Sequence, residues 1–176
     1  EEYKKIIDGK DFEPYSIKWP GKYLKYGDWL HRKRDEKFFL NPKIIFRQIG
    51  ATPVATVDYE KHYVLNTIYS GILTNNDFNL NYVFAIINSK LIKYVWLKKF
   101  HDGKGLFPKI KKTQLVEVPV FKAERVTQEK VSALVSDIIE LKKSGKATLE
   151  KENQIERLIY GLYNLTEEEI KIVEGK

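Results

Sequence analysis

Between positions 98 and 112 six lysines, Lys98, Lys99, Lys104, Lys109, Lys111 and Lys112, face a single acid, Asp102, with glycines at 103 and 105. Ammonium groups at this density suit a phosphate chain, and glycine gives the backbone conformations closed to other residues. The same composition also describes a solvated, lysine-rich turn, so the residues alone leave both readings open. A second cluster, His31, Arg32, Lys33 and Arg34, follows Trp29 and precedes Asp35 and Glu36. Guanidinium forks suit phosphates and guanine edges, and the neighbouring indole offers a stacking surface. The alternative is a charged surface turn neutralised by the two acids. Arg47 stands in an apolar run beside Phe46 and near Ile49, so it should pair with an acid such as Asp58 or reach a ligand. With Arg32 and Arg34, the residues Arg47, Gln48 and Gln114 are those able to make bidentate bonds to base edges.

Catalytic chemistry finds less support. The histidines, His31, His62 and His101, lack metal-ligand spacing, and the absence of cysteine removes thiolate ligands, cysteine nucleophiles and disulfides. There is no G-x-S-x-G, P-loop or G-x-G-x-x-G, and the glycines at 103 and 105 lack the helix such a fingerprint requires. No catalytic residue and no metal site are assigned. This balance favours a binding module over an enzyme.

The elements that must position these residues are legible in part. At 176 residues the chain suits one domain, or one with a helical appendage. No run of 18 or more apolar residues suggests a membrane span, so a soluble, cytoplasmic protein is expected. The chain starts at Glu1 and contains no methionine, which we read as a fragment or a processed chain. Its net charge of +7 is uneven: residues 1–125 carry +9 and residues 126–176 carry −2. A basic part joined to a near-neutral part fits a polyanion-binding face attached to a packing element.

Short strands and turns are expected over the first 34 residues, where Tyr15, Ile17 and Trp19 alternate with polar neighbours. Lys43–Ile49, Val54–Asp58 and Tyr63–Leu73 predict an antiparallel meander. Asn75, Asn76 and Asp77 precede a helix from about Leu80 to Lys99, whose apolar stripe predicts a core element. In it a buried amide at Asn88 should anchor backbone groups. Leu115–Phe121 reads as an edge strand because Pro119 cannot donate to a ladder. Helices follow from Thr127 to a stop at Gly145, over Leu149–Tyr163, and over Glu167–Val173 behind a capping box of Thr166 and Glu169.

Several stretches together resemble one family. They are GKDFEPY at 9–15, YLKYGDWLHRKR at 23–34, PKIIFRQIG at 42–50, LNTIYSG at 65–71, INSKLIKY at 87–94 and FPKIKKTQL at 107–115, with the ending ERLIYGLYNLTEEEIKIVEG. In this order they resemble the TaqI-like C-terminal specificity region of type IIG/IIS restriction enzymes that are also adenine-N6 DNA methyltransferases. The resemblance implies a target recognition domain that reads a short site in duplex DNA for the methyltransferase and nuclease domains of the same polypeptide. Such enzymes use S-adenosylmethionine and magnesium. This chain lacks the N-P-P-Y type methylation motif and a recognisable nuclease cluster, so it should bind DNA without cutting or methylating it, and without a cofactor of its own.

Residues shared by enzymes that read different sites are scaffold on this view, and base contacts belong to variable loops. Phosphate contacts position a protein while base contacts specify. The lysines of 104–112 are then expected to hold the backbone and Arg32 and Arg34 to read bases, with Lys98 and Lys99 adding phosphate contacts. The fold expected is α+β: a curved, largely antiparallel sheet packed by a long helix, with a recognition domain over 1–125 and a C-terminal helical subdomain over 126–176. A rival reading is a protein-interaction module that docks methyltransferase or nuclease domains.

Overall fold

The computed structural model describes residues 3–31, 33–100 and 108–176. In chain order its elements are β1 (Tyr3–Ile7), β2 (Phe12–Glu13), β3 (Ser16–Ile17), β4 (Tyr23–Lys25), α1 (Lys37–Leu40), β5 (Lys43–Arg47), β6 (Ala55–Asp58), β7 (Tyr63–Val64), β8 (Ile68–Gly71), α2 (Leu80–Asn88), α3 (Lys90–Phe100), α4 (Lys112–Leu115), α5 (Arg125–Lys143), α6 (Leu149–Leu162) and α7 (Glu167–Glu174). The class is α+β, as the sequence predicts. Pairing is largely antiparallel, but the strands divide among a β6-β5-β8 sheet, a β4-β1-β7 sheet and a β2-β3 hairpin instead of forming one curved surface.

β5 explains why two cores can share one short strand. Its period of two sends Ile44 into a cluster with α2 and α5, and Ile45 into a second cluster with Ile7, Phe12, Phe39 and Ile68. Both isoleucines are buried, so the apolar run Ile44–Phe46 has no solvent face to alternate with. The first cluster continues through Val131, Val135 and Ile138 of α5 to Ile155 and Ile159 of α6.

The meander expected over residues 43–73 holds for β5 and β6 only. The expected strand Tyr63–Leu73 breaks: β7 pairs in parallel with β1, whereas β8 returns antiparallel to β5. At the break Ile68 N–H turns back to Leu65 C=O (3.1 Å), and the Thr67 hydroxyl is taken by the Asp8 carboxylate. A side-chain partner 59 residues away thus holds the break, while Thr67 C=O still accepts Gln48 N–H at 3.0 Å.

The long helix expected over residues 80–99 is two helices. Ser89 is extended (φ −61°, ψ 154°), and its hydroxyl accepts Ile92 N–H (3.2 Å) while donating to Ile86 C=O (2.7 Å). It closes α2 and caps α3. The cap of α2 is Asn79, whose Oδ1 accepts Asn81 N–H at 2.9 Å. Asn88 anchors backbone as expected: Oδ1 accepts Ala55 N–H from β6 and Nδ2 donates to Phe84 C=O, both at 3.2 Å. Replacing Asn88 with leucine should destabilise the chain by about 1–3 kcal/mol, because the Ala55 donor would be buried without a partner; urea denaturation reads this directly.

Residues 115–121 do not form the expected edge strand. After α4 the segment is irregular, and tyrosine hydroxyls do the work of a ladder: Tyr163 accepts Phe121 N–H (3.1 Å) and donates to Pro119 C=O (2.7 Å), while Tyr82 donates to Phe121 C=O (2.7 Å). Helix α5 starts two residues before Thr127. Buried Gln128 ties it to the entry of α2 by accepting Asn79 N–H (2.8 Å) and donating to Asp77 and Ala123 carbonyls (both 2.9 Å). Gly145 ends α5 at φ +66°, a conformation that favours glycine. The capping box of Thr166 and Glu169 forms as expected.

Candidate nucleic-acid interface

Pairing on β5 continues beyond Arg47. Ile110 N–H donates to Gln48 C=O (2.9 Å), Gly50 N–H donates to Pro108 C=O (3.0 Å), and Ile49 and Lys109 are antiparallel bridge partners. Residues 108–110 therefore add a rung to the end of the β6-β5-β8 sheet. Ile110 is buried, and alternation leaves Lys109 and Lys111 exposed on either side of it. Exposed Lys112 opens α4, where Gln114 Oε1 accepts Lys111 N–H at 2.9 Å. That bond commits the oxygen of Gln114 to its own backbone and leaves its amide nitrogen for a ligand.

Arg34 and Lys112 line one cleft of about 600 Å³, together with Phe38, Phe46 and Tyr69. Arg34 Nη1 reaches Ile68 C=O at 3.5 Å, and the Tyr26 hydroxyl donates to the Arg34 carbonyl. The fold thus brings together Arg34, Gln48, Lys109, Lys111, Lys112 and Gln114, drawn from segments far apart in sequence. The backbone bonds fix where the lysine-bearing strand runs, and the long side chains are left to swing toward a partner.

Other residues expected at the interface have partners within the protein. Arg47 donates through Nε to Gly9 C=O (2.7 Å) and through Nη2 to Phe12 C=O and to Glu13 Oε1 (3.1 Å), with its guanidinium over the Phe12 ring. It pairs with an acid as expected, but the acid is Glu13, and the bonds pin the β2–β3 hairpin to β5. Lys99 pairs with Glu117 at 2.6 Å, and Lys98 lies over the Tyr94 ring. Arg32 and Lys104, with the rest of residues 101–107, lie outside the described residues.

The sequence reading missed a buried charged group. Lys43 Nζ lies 2.6 Å from Asp58 Oδ2, and Asp58 also accepts His62 N–H (2.8 Å) and faces His62 Nδ1 (3.0 Å). All three side chains are essentially inaccessible to solvent. Burial alone would raise the Asp58 carboxyl, but the His62 hydrogen bond and the Lys43 charge outweigh it and hold the carboxyl below its ordinary range. A signal was present: Lys43 heads one strand and Asp58 ends the next, and the antiparallel register puts them opposite one another. Among the described residues no group of three or more His, Cys, Asp and Glu side chains could hold a metal ion, and no helix is long and apolar enough to cross a membrane.

An α+β module with an exposed lysine edge beside a cationic, aromatic cleft has the physical character of a polyanion-facing binding domain. The chain belongs to the TaqI-like C-terminal specificity domain family, whose model matches residues 4–120. That span includes the whole interface from Arg34 to Gln114 and stops before α5. Membership supports a DNA-recognition role in restriction–modification enzymes. No curated protein matches the chain.

Proposed function

We propose that the chain is the duplex-DNA target recognition module of a combined type IIG/IIS restriction endonuclease and adenine-N6 methyltransferase, and that it is non-catalytic by itself. In this reading residues 1–125 meet the DNA and residues 126–176 form a helical subdomain behind them. The methyltransferase and nuclease domains of the same cytoplasmic polypeptide bring S-adenosylmethionine and magnesium. The carrying observation is the rung made by residues 108–110 on Gln48–Gly50, which sets Lys109, Lys111 and Lys112 beside Gln48 and Arg34. Exposed lysines on a fixed backbone suit the phosphate chain, and the guanidinium and amide suit base edges.

Selection by the chain from a randomised duplex library at about 0.1 M salt, where charge interactions are screened beyond roughly 10 Å, tests this. Enrichment of one short common sequence is the expected outcome. Recovery of every sequence equally, or retention insensitive to salt, overturns the reading and favours docking to another protein domain.

A further inference from the structure

Lys109 and Lys111 are set by the backbone rung on β5 and Lys112 by the start of α4, but Arg34 has no such support. It sits in residues 33–35, which belong to neither strand nor helix. Its guanidinium makes, among the described residues, one long hydrogen bond, from Nη1 to Ile68 C=O at 3.5 Å. A side chain that loose at its tip reads a base edge well only if its backbone is fixed, because freedom left in the unbound chain is lost on binding.

Tyrosine side chains do the fixing. The Tyr26 hydroxyl donates to the Arg34 carbonyl, and the Tyr63 hydroxyl donates to Glu36 Oε1 at 3.0 Å. Both hydroxyls project from one aromatic cluster: Tyr26 meets Tyr63 edge-on with ring centroids 4.8 Å apart, and buried Phe39 stacks on Tyr63 at 4.3 Å. Phe39 and Tyr63 belong to the second core, so the anchor is rigid. The charged neighbours of Arg34 are engaged locally, Lys33 Nζ 2.6 Å from Asp28 Oδ1 and Asp35 Oδ1 accepting Lys37 N–H at 2.9 Å. Resting on the duplex-DNA reading, we propose that Tyr26, Tyr63 and Glu36 are positioning residues for specificity, holding the Arg34 backbone so that its guanidinium meets one base edge in a fixed register. They act through Arg34 and not on the DNA.

The test takes the sequence that the whole chain enriches from a randomised duplex library and measures affinity for it and for its single base-pair substitutions at matched salt. Arg34→Ala should lower the preference at one base pair by about tenfold. Tyr26→Phe, which removes a hydroxyl and no charge, should lower the preference at that same pair and leave the slope of affinity against salt unchanged. On the Arg34→Ala background it should add nothing there, since both changes act through one side chain. Glu36→Ala should repeat the effect, and Glu36→Gln, which keeps an acceptor for the Tyr63 hydroxyl, should retain the native preference. Native preferences in Tyr26→Phe, uniform weakening on every sequence, or a loss that adds to that of Arg34→Ala would assign the hydroxyl to the fold alone and overturn the proposal. Unchanged preferences in Arg34→Ala overturn it too, with duplex recognition left to other residues. A native chain that enriches no sequence overturns the duplex reading as well.

Discussion

Asp58→Ala should lower the free energy of unfolding by about 3–5 kcal/mol, because it leaves the Lys43 ammonium buried and unpaired. Lys43 is fully buried, and besides Asp58 its one partner among the described residues is a long contact with Phe39 C=O at 3.4 Å. The same substitution removes the acceptor for His62 N–H, whose turn passes through Lys61 at φ +62°. Desolvation is the largest influence on Lys43 and pulls its ammonium below the usual lysine value despite the Asp58 charge. The pair therefore costs a good deal to bury, and Lys43→Met with Asp58→Leu should be much closer to the native stability than Asp58→Ala alone. Chemical denaturation of both variants measures the difference. A double variant as unstable as Asp58→Ala would show that the bonds to His62, and not the stranded ammonium, dominate.

The pH dependence has a definite sign. The Asp58 carboxyl is held below its ordinary value of 3.8 in the folded chain, so the unfolded chain binds that proton more readily. Its contribution to stability is complete above the unfolded value and fades as pH falls through the lowered folded one. Asp58→Asn should remove this part of the acid sensitivity, seen as a flatter fall of melting temperature below about pH 4.

The buried triad also shows where sequence reasoning stops. The apolar runs of β5 and β6 mark them as strands, and their antiparallel pairing follows from proximity. Burial of Lys43 required the register and the roof provided by the α1 segment, which no local pattern encodes. Arg47 was readable as a residue in need of an acid, yet its partners come from Gly9, Phe12 and Glu13, more than 30 positions earlier. The split at Ser89 was hidden because the apolar stripe continues across it. One hydroxyl satisfies the donors and acceptors of two helix ends, a local choice that periodicity averages away. The helices from 125 onward were legible because their apolar stripes, the stop at Gly145 and the Thr166 cap of α7 are all local, although α5 begins at Arg125 and not behind a cap at Thr127.

The interface divides in the same way. Lysine density pointed to the 98–112 stretch, but density does not separate free cations from paired ones. The structure gives Lys99 to Glu117 and leaves Lys109, Lys111 and Lys112 exposed along the rung on β5. Gln48 joins them through backbone pairing, a contact across 62 residues that no local pattern places. The aromatic cleft was missed altogether, since Phe38, Phe46 and Tyr69 come from three separate segments that only the fold brings together.

Changing Lys109, Lys111 and Lys112 together to glutamine should flatten the salt dependence of duplex binding. If each neutralises one phosphate, the slope of log K against log salt falls in magnitude by about 2.7, at roughly 0.9 per phosphate. Between 50 and 200 mM salt the native chain would then lose about fortyfold more affinity than the variant. All three side chains are exposed, so the folded state should be preserved within about 0.5 kcal/mol, and unfolding curves check this. Lys99→Gln is the informative control. Its ammonium already has a carboxylate 2.6 Å away, so the change removes a cation whose charge is offset locally and should shift the slope far less. Equal shifts for Lys99 and for any single lysine of the rung would mean that diffuse net charge drives binding. A slope unchanged in the triple variant would remove the edge from the DNA contact and return the basic surface to a solubility role. An effect confined to Lys109, Lys111 and Lys112 is what phosphates held along the rung and the start of α4 require.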